Sequence, residues 1–108
     1  MMILKEKLMS DFGLSRNTID IINNYFKNIP EIDMVKIYGS RALGTFRKGS
    51  DIDLAIFGNI NSSLITKIRS EIDELPTPYM FDITDYNTIG NIKLKTHIDE
   101  FGEIFYTK

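Results

Sequence analysis

Apolar positions along the chain follow two rhythms that take turns. Ile19, Ile22, Phe26 and Ile29 recur at spacings of 3, 4 and 3 behind Ser15, and the stripe stops at Pro30. That is one face of a helix, with Ser15 as its N-cap. Met34, Val35, Ile37 and Tyr38 then make a short apolar run ending at Gly39-Ser40, which predicts a strand and a tight turn. Arg41 to Phe46 leave room for a short helix. After the basic turn Arg47-Lys48-Gly49-Ser50, the segment from Asp51 to Phe57 alternates at first and then becomes wholly apolar, which predicts a second strand buried at its far end.

Behind Asn61-Ser62-Ser63 the helical rhythm returns with Ile65, Ile68, Ile72 and Leu75, before Pro76 and Pro78 end it. Tyr79 to Ile83 reads as a third strand. A last helix starts near Asn91, carries Leu94, Ile98 and Phe101 on one side, and has Gly102 as its C-cap. Ile104-Phe105-Tyr106 is an apolar tail, a short strand or a docked extension. The order α-β-α-β-α-β-α places the chain in the α/β (α+β) class, a small sheet covered by helices.

At 108 residues with 43% hydrophobic side chains, the chain can build one core. It is read as a single domain over residues 1–108, with an irregular segment at 1–12. Its N-terminus lacks a basic stretch followed by an apolar run, and no apolar stretch is long enough to span a bilayer, so a cytoplasmic location and no membrane contact are expected. The absence of cysteine excludes a disulfide scaffold and thiolate metal sites. A formal net charge of −2 gives no general footprint for duplex nucleic acid, so no direct duplex binding is expected.

The chemistry gathers around Gly39 and the second strand. Side chains two apart in a strand share a face, so Asp51 and Asp53 point together while Ile52 and Leu54 enter the core. Asp82 sits between Phe81 and Ile83 on the third strand, and if the two strands are neighbours three carboxylates converge. Such charges repel, and a cation is expected among them. Hard oxygen ligands without imidazole or thiolate suit Mg²⁺ or Mn²⁺, and carboxylates bridging such ions suit phosphoryl or nucleotidyl transfer. Gly39 lets the backbone approach a phosphate closely, the start of the next helix offers free N–H groups, and Ser40 can cap that helix or donate to a phosphate oxygen. Arg41, Arg47 and Lys48 are cations that could hold phosphates, Lys48 being the weakest candidate.

Tyr38-Gly39-Ser40-Arg41-Ala42-Leu43-Gly44, followed by Gly49-Ser50-Asp51-Ile52-Asp53-Leu54, resembles the signature of the polymerase-β-like nucleotidyltransferase superfamily. The likeness extends from the helix behind Ser15 through Phe81-Asp82-Ile83 to the C-terminal Gly102-Glu103-Ile104-Phe105-Tyr106, and is strongest to the minimal nucleotidyltransferases. The resemblance implies a small mixed sheet flanked by helices. It makes Asp51 and Asp53 the metal-binding pair, Asp82 the third carboxylate, and Gly39 and Ser40 the triphosphate turn. It further implies ATP as substrate, release of pyrophosphate, and a helical partner of the HEPN type, a toxin or substrate-binding subunit, whose tyrosine receives AMP, with the transferase as antitoxin in a homo- or hetero-oligomer. Two other readings stand beside it: a noncatalytic antitoxin that masks its partner by contact, and an adenylyltransferase acting on a small molecule.

Plainer roles compete at each position. Asp-x-Asp by itself is usually a solvated strand edge, Gly39-Ser40 an ordinary capped turn, and Arg47 a soluble turn residue. Asp85 rivals Asp82 but reads better as a cap or surface carboxylate. His97, the single histidine, reads as a surface or partly packed residue rather than a catalytic one, and Tyr25, Tyr79, Tyr86 and Tyr106 as packing or interface residues.

Overall fold

A computed structural model describes residues 11–108. The irregular segment expected at 1–12 therefore lies mostly outside the described residues; its last part, with Gly13, forms a turn. Helix α1 spans Arg16–Lys27 and is capped as its sequence predicts, with Ser15 Oγ accepting the Thr18 N–H at 3.1 Å. Strand β1 (Ile32–Tyr38) leads through Gly39 into the four-residue helix α2 (Ser40–Leu43). Strand β2 (Ile52–Gly58), helix α3 (Ser62–Ile72) and strand β3 (Phe81–Asp85) follow, and then helix α4 (Ile92–Phe101) and strand β4 (Glu103–Thr107).

The four strands form one mixed sheet in the order β3-β2-β1-β4, with β2 and β3 parallel and the other pairs antiparallel. The alternation along β2 divides the sheet into two faces. Ile52, Leu54 and Ile56 are buried on one, against Ile19, Ile22 and Phe26 of α1 and Ile65, Ile68 and Ile72 of α3. Ile29 and Leu75, which continue the two helical rhythms, lie just beyond the helix ends and still pack on this core. Tyr25 of α1 donates its hydroxyl to Glu71 of α3 at 2.9 Å, tying the two helices together. The other face is thinner: α4 covers it through Ile98, which packs with Tyr38 and Ala55.

Several boundaries differ from expectation. The third strand begins two residues late, at Phe81, although the Met80 carbonyl already accepts the Ile52 N–H at 2.9 Å. The apolar tail is a strand: β4 completes the sheet by pairing with β1. Phe101 is not part of the buried stripe but 48% exposed, since only Ile98 of α4 reaches the sheet fully. Gly102 is the C-cap of α4, as expected, and donates its N–H to the Ile98 carbonyl at 2.9 Å, but its φ of −65° makes it extended rather than left-handed; glycine fits there because an added Cβ would meet that carbonyl oxygen at 2.5 Å. Ser40 does not cap α2, because Gly39 holds the N-cap position.

Candidate functional site

The parallel pairing of β2 and β3 decides where the acidic residues meet. Asp53 lies opposite Asp82 in register, and Tyr38 of β1 lies opposite Asp53 on the other side. Asp53 is on the face away from the main core, together with Ala55 and Phe57, so it opens towards the side covered by α4. Ala55 is small enough for Tyr38 to pass over β2, and the Tyr38 hydroxyl meets Thr84 Oγ1 of β3 at 3.1 Å. One row across three strands thus carries Tyr38, Asp53 and Asp82.

Like charge is concentrated here. The carboxyl of Asp53 is pushed up from 3.8 to about 6, first by burial and then by the nearby Asp82 and Asp51, with His97 and Arg41 pulling the other way. Asp51 stands one residue before β2 and is exposed, as is Asp82 on the edge strand. Among the described residues no three acidic or imidazole side chains are close enough together to enclose an ion. The three-carboxylate convergence expected from the sequence is thus not closed, although Asp53 and Asp82 are register partners on neighbouring strands. The donor set nevertheless fits a hard divalent cation: it is all oxygen, and the charge it accumulates is of the sign that such an ion would relieve. Asp85 is a cap, as expected, accepting the Asn87 N–H at 3.2 Å, but it is buried rather than on the surface.

Gly39 closes the site from the β1 side. Its backbone has φ 73° and ψ −152°, a region that only glycine occupies comfortably, and a Cβ placed there would run into Asp53 Oδ2. Gly39→Ala is expected to destabilise the fold by about 1–3 kcal/mol through backbone strain. It should also displace the Asp53 carboxylate, so the melting temperature and the affinity for a divalent cation should fall together. The sequence reading missed the next contact: His97 of α4 accepts the Gly39 N–H on Nε2 at 3.1 Å. No local signal marks it, because the two residues are 58 positions apart.

Arg41 departs most from expectation. It is 3% exposed, and its guanidinium binds backbone carbonyls. Its Nε and Nη2 donate to the Ser50 carbonyl at 3.2 and 2.8 Å, and Nη1 donates to the Phe12 carbonyl at 2.9 Å. Its guanidinium lies 4.9 Å from the Tyr79 ring centroid and 5.2 Å from that of Phe46. Burial lowers its pKa, against the opposing influence of Tyr79, Asp51 and Asp53. Three N–H groups are thus engaged by carbonyls, and the residue so held, Ser50, immediately precedes Asp51. Arg47 and Lys48 are exposed and, with Arg41, Phe46 and Tyr79, line a cavity of about 250 Å³ whose walls include none of the site's carboxylates.

A mixed sheet that presents paired carboxylates beside a glycine turn, with helices on both faces, is the architecture of nucleotide-transfer domains, and the comparisons agree. A crystal structure of a toxin-antitoxin with AMP-PNP superposes with a TM-score of 0.68 at 21% identity, covering 88% of this chain and 75% of that one. The toxin-antitoxin MntA-HepT gives 0.51 at 20% identity over 82% and 68% of the two chains. A candidate nucleotidyltransferase from Sulfolobus solfataricus gives 0.56 at 17% identity over 84% and 78%. No curated protein matches by sequence. The family model for polymerase beta nucleotidyltransferases matches residues 20–108, and the chain belongs to that family. Among the described residues no helix is long and apolar enough to cross a membrane.

Proposed function

We propose that the protein transfers AMP from ATP to a hydroxyl of a helical HEPN-type partner, a tyrosine, and thereby acts as an antitoxin. The observation that carries this reading is the register of Asp53 with Asp82 beside the Gly39-Ser40 turn. It supplies the carboxylates and the close backbone approach that the chemistry needs at one place on one sheet face. The likeness to toxin-antitoxin structures, one of them with AMP-PNP, supports the choice of nucleotide and partner.

In this reading Asp51, Asp53 and Asp82 would hold Mg²⁺ or Mn²⁺, which when bound supplies charge neutralisation for the triphosphate and a lowered pKa for the acceptor hydroxyl. The Gly39-Ser40 turn orients the β and γ phosphates so that the α-phosphorus lies in line with the incoming oxygen. Asp82, exposed at the edge strand, takes the proton of the acceptor hydroxyl. The new bond joins that oxygen to the α-phosphorus, and the bond to the pyrophosphate oxygen breaks.

The test is incubation of the chain with a HEPN-type partner, Mg²⁺ and ATP labelled at the α-phosphate. Label should appear on a partner tyrosine. Losing one residue behind a metal ligand commonly costs 10- to 100-fold, so Asp53→Ala, which removes a ligand itself, should lower transfer by more than about 100-fold. Neutralisation of the partner that survives Asp53→Ala unchanged would favour masking by contact instead.

A further inference from the structure

His97 is the chain's single histidine, and the transfer chemistry above gives it no task. It is half-buried between two aromatic rings. Tyr38 stands edge-on to it with centroids 6.0 Å apart, and Phe101 of its own helix lies 5.5 Å away. From this slot Nε2 accepts the backbone N–H of Gly39. A ring nitrogen that accepts carries no proton, so the proton of the neutral imidazole sits on Nδ1.

The location of this bond gives it consequence. Gly39 is where β1 ends and the chain turns sharply, and its backbone abuts the Asp53 carboxylate closely enough to leave no room for a Cβ. Tyr38 is the last residue of β1 in register with β2, and beyond it the Gly39 carbonyl accepts the Leu43 N–H at 3.1 Å. The Gly39 N–H between these two anchors is held by the hydrogen bond to α4. We infer that His97 is a positioning residue of the transferase site: by accepting the Gly39 N–H it holds the Gly39-Ser40 turn against Asp53 without itself touching substrate. This rests on the nucleotidyltransferase reading and extends it by giving the last helix a part in the site.

Two substitutions separate positioning from packing. His97→Phe keeps a ring between Tyr38 and Phe101 but cannot accept; His97→Gln gives up the ring and restores an acceptor oxygen. Losing one neutral hydrogen bond corresponds to roughly a three- to tenfold change in the equilibrium it supports. In His97→Phe the KM for ATP is therefore expected to rise by that factor with kcat within about twofold, and His97→Gln should recover part of the loss. A variant that merely loses folded protein would lower apparent kcat and leave KM in place. Hydrogen exchange of the Gly39 amide, read by NMR without nucleotide, should be slow in the wild type and faster in His97→Phe. Unchanged KM, unchanged Gly39 exchange, or a Gln variant no nearer wild type than Phe would overturn the inference. If wild-type protein shows slow Gly39 exchange but binds no AMP-PNP with Mg²⁺, the transferase reading fails, and the positioning role falls with it.

Discussion

Asp53→Asn should make the protein more stable at neutral pH while abolishing transfer. The carboxyl of Asp53 titrates near 6 in the fold against an ordinary value of 3.8, so the native chain holds this proton more tightly than the unfolded chain does. For a raised carboxylate the sign is fixed: its contribution to stability is complete below about pH 4 and is lost as pH climbs through about 6. One pH unit is worth about 1.36 kcal/mol, which sets a ceiling near ~3 kcal/mol, and partial exposure screens this to about 1–2 kcal/mol. Asparagine removes the charge and with it the repulsion from Asp82 and Asp51. At pH 7.5 without divalent ions the variant should melt several degrees higher, each kcal/mol being worth about 4–8 °C in a domain of this size. The gap should close by pH 4. Added Mg²⁺ should raise the melting temperature of the wild type and do much less for the variant, since binding to the native state alone stabilises it by mass action. A variant that melts below wild type at pH 7.5 would show that the carboxylate is held by favourable contacts rather than strained by its neighbours.

Residue spacing carries much of this architecture because the relevant signals are local. Ser15, Asn61 and Asn91 each cap the helix that follows, and the apolar rhythms behind them give the helical faces that pack on the sheet. The Asp51-x-Asp53 spacing, with Gly39-Ser40 ahead of it, marks the site's region by the same local logic. Three features depend instead on which elements become neighbours. The β4 pairing with β1 cannot be told from a docked tail by an apolar triplet. The register of Asp53 with Asp82 follows from a parallel crossover through α3, which no residue pattern states. His97 reaches Gly39 only because α4 lies on the face where Ala55 leaves the covering thin. The structural role of Arg41 is hidden for a different reason: the carbonyls of Ser50 and Phe12 that its guanidinium meets carry no mark in the sequence.

Arg41→Lys should cost more stability than any other change between two basic residues in the chain. The native side chain is 3% exposed, donates three hydrogen bonds to two carbonyls and lies over two aromatic rings. A hydrogen bond to a charged group contributes about 1.5–3 kcal/mol when both partners are buried, and a lysine ammonium cannot match the planar fork that grips the Ser50 carbonyl through two nitrogens. Loss of the fork and of the stacked guanidinium should lower stability by about 2–4 kcal/mol, a melting decrease of 10 °C or so. Below its melting transition, the variant should bind AMP-PNP with a Kd within about threefold of wild type, because three of the guanidinium's five N–H groups are engaged by backbone carbonyls that hold it in the interior. The opposite pattern, an unchanged melting temperature with a tenfold weaker Kd, would return Arg41 to the phosphates. The clamp also ties Phe12, next to the Gly13 turn, to the residue before Asp51. The segment that leads into Asp51 is thus anchored through the fold's interior.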